Sequence, residues 1–125
     1  MKDADSPALR WIEGCRLVEL HLTATVVYEI ARGIERLPAG RKRAKLEAEF
    51  EGEFLPLFTG RILPLDAEAA RVWARLAAAG ERRGHLPPTL DCQIAAVAIR
   101  HGMTVVTLDR RGFAPLGCAV LDPVA

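Results

Sequence analysis

The stretch TLDCQIAAVAIRHGMTVVTLDRRGF, residues 89–113, joins a helix-like apolar run to a strand-like apolar run and places one acid at each junction. Residues 91–101 mix alanine with larger aliphatic side chains, as a buried helix does, and Gly102 is placed to close that helix as a C-terminal cap. Residues 103–108, MTVVTL, are nearly all apolar, the pattern of a strand covered on both faces. Asp91 starts the helix and Asp109 ends the strand. A helix that runs back to feed a buried strand is half of an α/β unit, so the rest of the chain is read for the other half.

Upstream the same alternation recurs. Ser6 and Pro7 carry a helix-start signal. LVELHLT, residues 17–23, sets Val18, Leu20 and Leu22 against Glu19 and His21 with the period of a strand. TVVYEIARGIERL follows with Val26, Val27, Ile30 and Ile34 at helical spacing, with Thr23 or Thr25 available as its cap. Residues 41–58 place Leu46, Phe50 and Phe54 four apart, which predicts one amphipathic helix with a charged outer face. RILPL is a short strand, Asp66 caps the helix AEAARVWARLAAAGERRG, and HLPPTL is a proline loop. CAVLDP reads as a last short strand. Strands alternating with helices call for a mostly parallel sheet flanked by helices, in one domain spanning residues 1–125.

Composition narrows the function classes. A chain of 125 residues buries roughly two-thirds of its unfolded surface. With 50% apolar and 6% aromatic residues, its core is expected to be Ala, Leu, Val and Ile. Seventeen basic residues against sixteen acidic ones leave a net charge of +1, so a nucleic-acid partner would have to be recognised by local patches. Cys15, Cys92 and Cys118 are too scattered for a disulfide framework or a zinc ribbon and read as reduced thiols of a cytosolic protein. No run is long enough for a membrane span, and the N-terminus is no signal peptide, so a soluble cytoplasmic protein is expected.

Chemistry in an open α/β sheet gathers beyond the carboxyl ends of the strands. Asp109 and Asp91 belong at that edge, and Glu29, about one turn into the helix after LVELHL, belongs there too. Carboxylates packed together raise one another's pKa, and a divalent cation relieves the repulsion. Mg²⁺ and Mn²⁺ are hard ions that prefer oxygen donors and keep several waters. A carboxylate cluster without a matching histidine set therefore points to Mg²⁺ or Mn²⁺ and to phosphodiester chemistry. Each acid also has a plainer reading: Asp91 as an N-cap, Asp109 as a turn residue, Glu29 as a surface charge near a helix start. The metal reading draws its support from the three coinciding.

Among the cations, Arg110 and Arg111 directly follow Asp109, and Arg82, Arg83 and His85 lead into the loop before Asp91, so these are candidates to meet an RNA backbone. RKRAK, residues 41–45, reads instead as a solvated helix face. No histidine pair stands at i, i+4, which disfavours zinc hydrolase chemistry, and no Gly-rich phosphate loop follows a strand, which disfavours nucleotide binding. Trp11, Trp73 and Phe113 read as core or dimer-interface residues.

Taken in order, LTATVVYEIARGIERLP, RILPLDAEAARVWARL, DCQIAAVAIRHGMTVVTLDRRGF and the closing LDP resemble the VapC-type PIN-domain toxins of prokaryotic toxin–antitoxin pairs, over nearly the whole chain. The resemblance implies a three-layer α/β/α domain and a Mg²⁺- or Mn²⁺-dependent endoribonuclease. It further implies a homodimer that a cognate antitoxin holds inactive. Carried over position by position, Glu29, Asp91 and Asp109 are implied metal-binding acids, and Thr23 an accessory hydroxyl near the site.

Two departures stand out. The family's opening apolar strand, ending in an Asp–Thr–Asn motif whose Asp is a principal ligand, has no counterpart; Asp3 and Asp5 do not replace it, because no apolar strand precedes them. Its loss would leave neighbouring strands with unpaired backbone groups, at about 1–3 kcal/mol for each buried one. The expectation is a natural start further upstream, the alternatives being another segment in that place or a decayed, inactive copy. The second departure is Gly112, where many relatives carry an acid before the Phe. The alternative function is a catalytically inactive PIN-like remnant that serves as an antitoxin-binding or dimerisation module.

Overall fold

The computed structural model describes residues 20–123, which fall into two compact units, 20–64 and 65–123. The expected helix start at Ser6 and Pro7, Asp3, Asp5, Trp11, Cys15, and the first residues of the LVELHLT strand lie outside the described residues. No described helix is long and apolar enough to cross a membrane.

In the 20–64 unit, strand β1 (Leu22–Thr23) runs parallel to β2 (Ile62–Leu63), with Leu22 opposite Ile62 and Thr23 opposite Leu63. Arg61 ties this pair together. Its backbone carbonyl accepts from Leu22 N–H at 3.0 Å, its Nε donates to Leu20 O at 3.1 Å, and its Nη2 donates to Leu57 O. The guanidinium also lies 5.8 Å from the Phe58 ring centroid, a cation–π distance.

Helix α1 (Ala24–Glu35) starts where Thr23 adopts an extended backbone and its hydroxyl oxygen accepts from Val26 N–H at 3.1 Å. Thr23 is thus the cap, while Thr25, the other candidate, is buried inside the first turn. Helix α2 (Arg41–Glu49) is joined to the end of α1 by Arg43, which contacts Glu35 at 2.6 Å and Glu47 at 3.1 Å.

The single amphipathic helix expected over 41–58 is broken into three parts. After α2, residues Phe50–Phe54 form a π-helical turn closed by Leu55 N–H on Phe50 O, and Leu55–Phe58 tighten into a 3₁₀ turn. The cause lies at Pro56, which has no N–H for an α-helical bond and whose ring would press on the Gly52 carbonyl. The fourfold spacing of aromatics still holds the segment together, since Phe50–Phe54 and Phe54–Phe58 ring centroids lie 5.9 and 5.3 Å apart.

In the 65–123 unit, Asp66 caps α3 (Ala67–Arg82) as expected, its Oδ1 accepting from Ala69 N–H at 2.9 Å. This helix packs on α4 (Thr89–His101), which begins two residues earlier than its sequence pattern implied. Buried alanines on both helices, Ala69, Ala95 and Ala96 among them, allow close approach. The 83–88 connection folds back on α3 at Gly80, whose carbonyl accepts from His85 N–H at 2.8 Å. Gly102 ends α4 in the left-handed conformation, φ 65°, as the cap signal required.

Strand β3 (Thr104–Val106) then runs parallel to β4 (Ala119–Leu121), with Val105 opposite Val120 and Val106 opposite Leu121. Between them lie the short helix α5 (Arg110–Phe113) and a 3₁₀ turn, Ala114–Leu116. Val105, Phe113 and Leu116 form one core with Ala95 and Ala98, edged by Leu76, Ile94, Cys118 and Val120.

The expectation of a strand covered on both faces is corrected. Val105 is buried, but Val106 is 41% and Leu108 63% exposed. Successive side chains of a strand point to opposite faces, and only the Val105 face meets the core around α4. Every strand pairing among the described residues is parallel, and the fold is α/β.

Candidate metal centre

Asp91 sits in the first turn of α4, yet it is not the cap: Pro88 holds that place, without a side-chain capping bond. The plainer reading of Asp91 is therefore set aside. Its carboxyl is half-buried and its pKa is pushed above the ordinary value, first by loss of water and then by the nearby negative charge of Asp109. Two acids from separate elements are thus brought within electrostatic reach of each other.

Asp109 does not end β3 directly, because Thr107 and Leu108 intervene. It caps α5, with Oδ1 accepting from Gly112 N–H at 3.1 Å, while its own N–H donates to Thr107 Oγ1 at 2.9 Å. The turn reading of Asp109 is accordingly right about local geometry, and it coexists with the approach to Asp91. Thr107 escaped the sequence reading; a hydroxyl residue two places before an Asp at a chain reversal is the signal that would have found it.

Glu29 lies on an exposed position of α1, in the 20–64 unit, as does the α1 cap Thr23. The bond from Val26 N–H uses the Thr23 hydroxyl as acceptor and leaves its proton to be donated elsewhere. Arg110 and Arg111 are exposed beside Asp109, and Arg82 is exposed in the last turn of α3. No group of three or more His, Cys, Asp or Glu side chains gathers closely enough to hold a metal among the described residues. Two carboxylates suffice to fit Mg²⁺ or Mn²⁺ by chemistry, because these ions take one or two carboxylates and fill their remaining positions with water and phosphate oxygens.

Other features divide cleanly from this pair. Cys92 and Cys118 are free thiols whose pKa values burial pushes up, and Cys118 Sγ donates to Phe113 O at 3.5 Å, as packed core cysteines do. Phe113 is core, whereas Trp73 lines a groove of about 440 Å³ with Ala70, Ala77, Leu86 and Pro87. That groove is apolar and none of the acids lines it.

The model of the PIN domain matches residues 2–116. The chain belongs to the PIN-domain family, in its VapC toxin branch. It is 36% identical over 121 residues to the VapC ribonuclease Y4jK of Sinorhizobium fredii, covering 97% of this chain and 86% of that protein. It is 34% identical over 113 residues to the toxin FitB of Neisseria gonorrhoeae, covering 90% of this chain and 81% of that one. Among solved structures, FitAB bound to a DNA fragment contains a chain that superposes with a TM-score of 0.91 at 32% identity, over 100% of this chain and 87% of that chain. The sequence order that suggested a VapC-type PIN domain is thereby borne out in family and fold.

Proposed function

We propose that this PIN domain is the toxin of a toxin–antitoxin pair and a nuclease that hydrolyses RNA phosphodiesters with Mg²⁺ or Mn²⁺. The observation that carries the reading is the partly buried Asp91 carboxyl within electrostatic reach of Asp109, in a chain of the VapC branch of the PIN-domain family. The VapC and FitB relatives support the toxin role and a cognate antitoxin partner. The whole chain acts as one domain, as a homodimer, in the cytoplasm where its RNA lies.

Asp91 and Asp109 would hold the cation, and Glu29, as a further acid, and Thr23, as an accessory hydroxyl, are the other residues proposed to serve the reaction. A divalent cation, when bound, supplies an activated water and neutralises charge on the phosphate. The chain's own contribution is placement. Helix α4 fixes Asp91 through its buried face, where the Asp91 carboxyl is partly withdrawn from water, and α5 fixes the exposed Asp109 through Gly112 N–H. Arg110 and Arg111, and at greater remove along the chain Arg82, attract the RNA backbone electrostatically rather than read its bases.

The test is cleavage of a defined RNA with Mn²⁺, with and without chelator, by the wild type and by Asp91→Asn and Asp109→Asn. Each substitution should lower the rate by at least about 100-fold, since even outer partners of a metal site cost 10–100-fold. Wild-type cleavage that persists under chelation would remove the metal. A protein that binds an antitoxin tightly and cuts no RNA would replace the nuclease with the binding module.

A further inference from the structure

Gly112 lies within α5 and is not one of the described glycines with positive φ. Its backbone would accept any L residue, and alanine is the better helix former there. What the glycine supplies is room. A Cβ at residue 112 would stand 2.6 Å from Asp109 Oδ2, 3.1 Å from its Cγ and 3.4 Å from its Oδ1.

Other glycines show what is unusual about this. Gly33 and Gly52 also have ordinary helical backbones, and a Cβ at either would meet nothing within 4 Å. At Gly80 a Cβ would meet the His85 backbone carbonyl at 2.7 Å and the Pro87 ring at 2.6 Å, so that glycine serves the fold. At residue 112 the obstacle is the far end of one flexible side chain, which can rotate away while the backbone stays in place.

We infer that Gly112 is a positioning residue for Asp109: its missing side chain leaves the seat in which the carboxylate stands, and its N–H holds the carboxylate there. The inference rests on the reading of Asp109 as a metal-holding acid and deepens it. Thr107 ties down the backbone end of the same residue through the Asp109 N–H, so an added methyl group would act first on the side-chain torsions of Asp109. A methyl group at residue 112 would turn the carboxylate off the amide and out of its place beside Asp91.

The experiment uses the full chain with Mn²⁺ alone as probe, in wild type, Gly112→Ala, Asp109→Asn and the double variant. Titration calorimetry should show Gly112→Ala weakening Mn²⁺ binding by about 10-fold or more, with the melting temperature held within a few degrees. Because Gly112 acts through Asp109, the same change made in the Asp109→Asn background should add no further loss. A crystal structure of Gly112→Ala should show the carboxylate rotated off the residue-112 N–H.

Unchanged Mn²⁺ affinity, an equal loss in both backgrounds, or a steep fall in melting temperature would each overturn the inference, the last by revealing a backbone role. If the wild type binds no Mn²⁺, the metal reading fails by itself. The crystal structure then decides the positioning role: a rotated carboxylate sustains it, an unmoved one ends it.

Discussion

The two units are held by different means. The 65–123 unit has a core of small and medium side chains with Val97, Cys92, Ala95 and Ala96 essentially sealed from solvent. The 20–64 unit buries Thr25, Phe50 and Phe58 and relies on polar ties: Arg43 between helices, Arg61 on three carbonyl or ring partners. Dense packing resists displacement because neighbouring atoms leave no space to move into, whereas exposed ion pairs contribute little, about 0–1 kcal/mol each. Asp91 and Asp109 are seated on the packed unit. Glu29 and Thr23 belong to the unit that seals fewer of its described side chains from solvent. A metal site needs its acids held to within a fraction of an ångström, and packing is the better way to hold them.

The sharpest test of that contrast is truncation. Phe113→Ala removes a ring from the core between α4 and β3 and should lower the unfolding free energy by about 3–5 kcal/mol in a urea titration. Leu57→Ala, at a half-exposed site of the other unit, should change it by no more than about 0.5 kcal/mol. Equal losses at the two positions would break the comparison. A large loss at Phe113 accompanied by weakened Mn²⁺ binding in the still-folded fraction would sharpen it, by showing that the core seats the acids.

Helix caps give a smaller, matched pair. Asp66→Ala and Thr23→Ala each remove the acceptor for a first-turn N–H and should each cost about 1 kcal/mol by thermal melting. Their effects on RNA cleavage should part. Asp66→Ala leaves the rate of the folded protein unchanged, while Thr23→Ala lowers it and Thr23→Ser restores both stability and rate. A Thr23→Ala enzyme with full activity would reduce Thr23 to its capping bond.

These same caps mark what was legible in the sequence. Thr23, Asp66 and Gly102 act within three or four residues of themselves, so short windows of sequence contain the whole physical cause. The parallel strands at 62–63, 104–106 and 119–121 were legible for the same reason, through apolar runs bounded by Pro, Gly or Asp. The π-helical turn at 50–54 was missed because the aromatic spacing outvoted Pro56, though a proline clash was in plain view. Exposure of Val106 was not legible, since composition records that a strand is apolar and not which face finds a partner. At the site, the Asp91–Asp109 approach followed from sheet logic. The part of Gly112 did not, because a side-chain oxygen lying where a Cβ would be is a fact of three dimensions.

The smallest effect concerns protons, and it bears on the proposal that a cation is held there. The Asp91 carboxyl has a folded-state pKa above its ordinary 3.8, from burial first and Asp109 second. The folded state therefore holds that proton more tightly than the unfolded chain does. The resulting stabilisation is fully present below the ordinary value and is lost as pH rises through the raised one. The stability of wild type minus that of Asp91→Asn, measured without metal, should thus fall as pH rises above 3.8, leaving the Asn variant slightly the more stable at neutral pH. Mn²⁺ should reverse the order, because a ligand bound by the folded wild type at 100 times its Kd adds about 2.7 kcal/mol. A difference flat with pH would mean that Asp91 is not crowded, and the two units would then differ in packing without differing in chemistry.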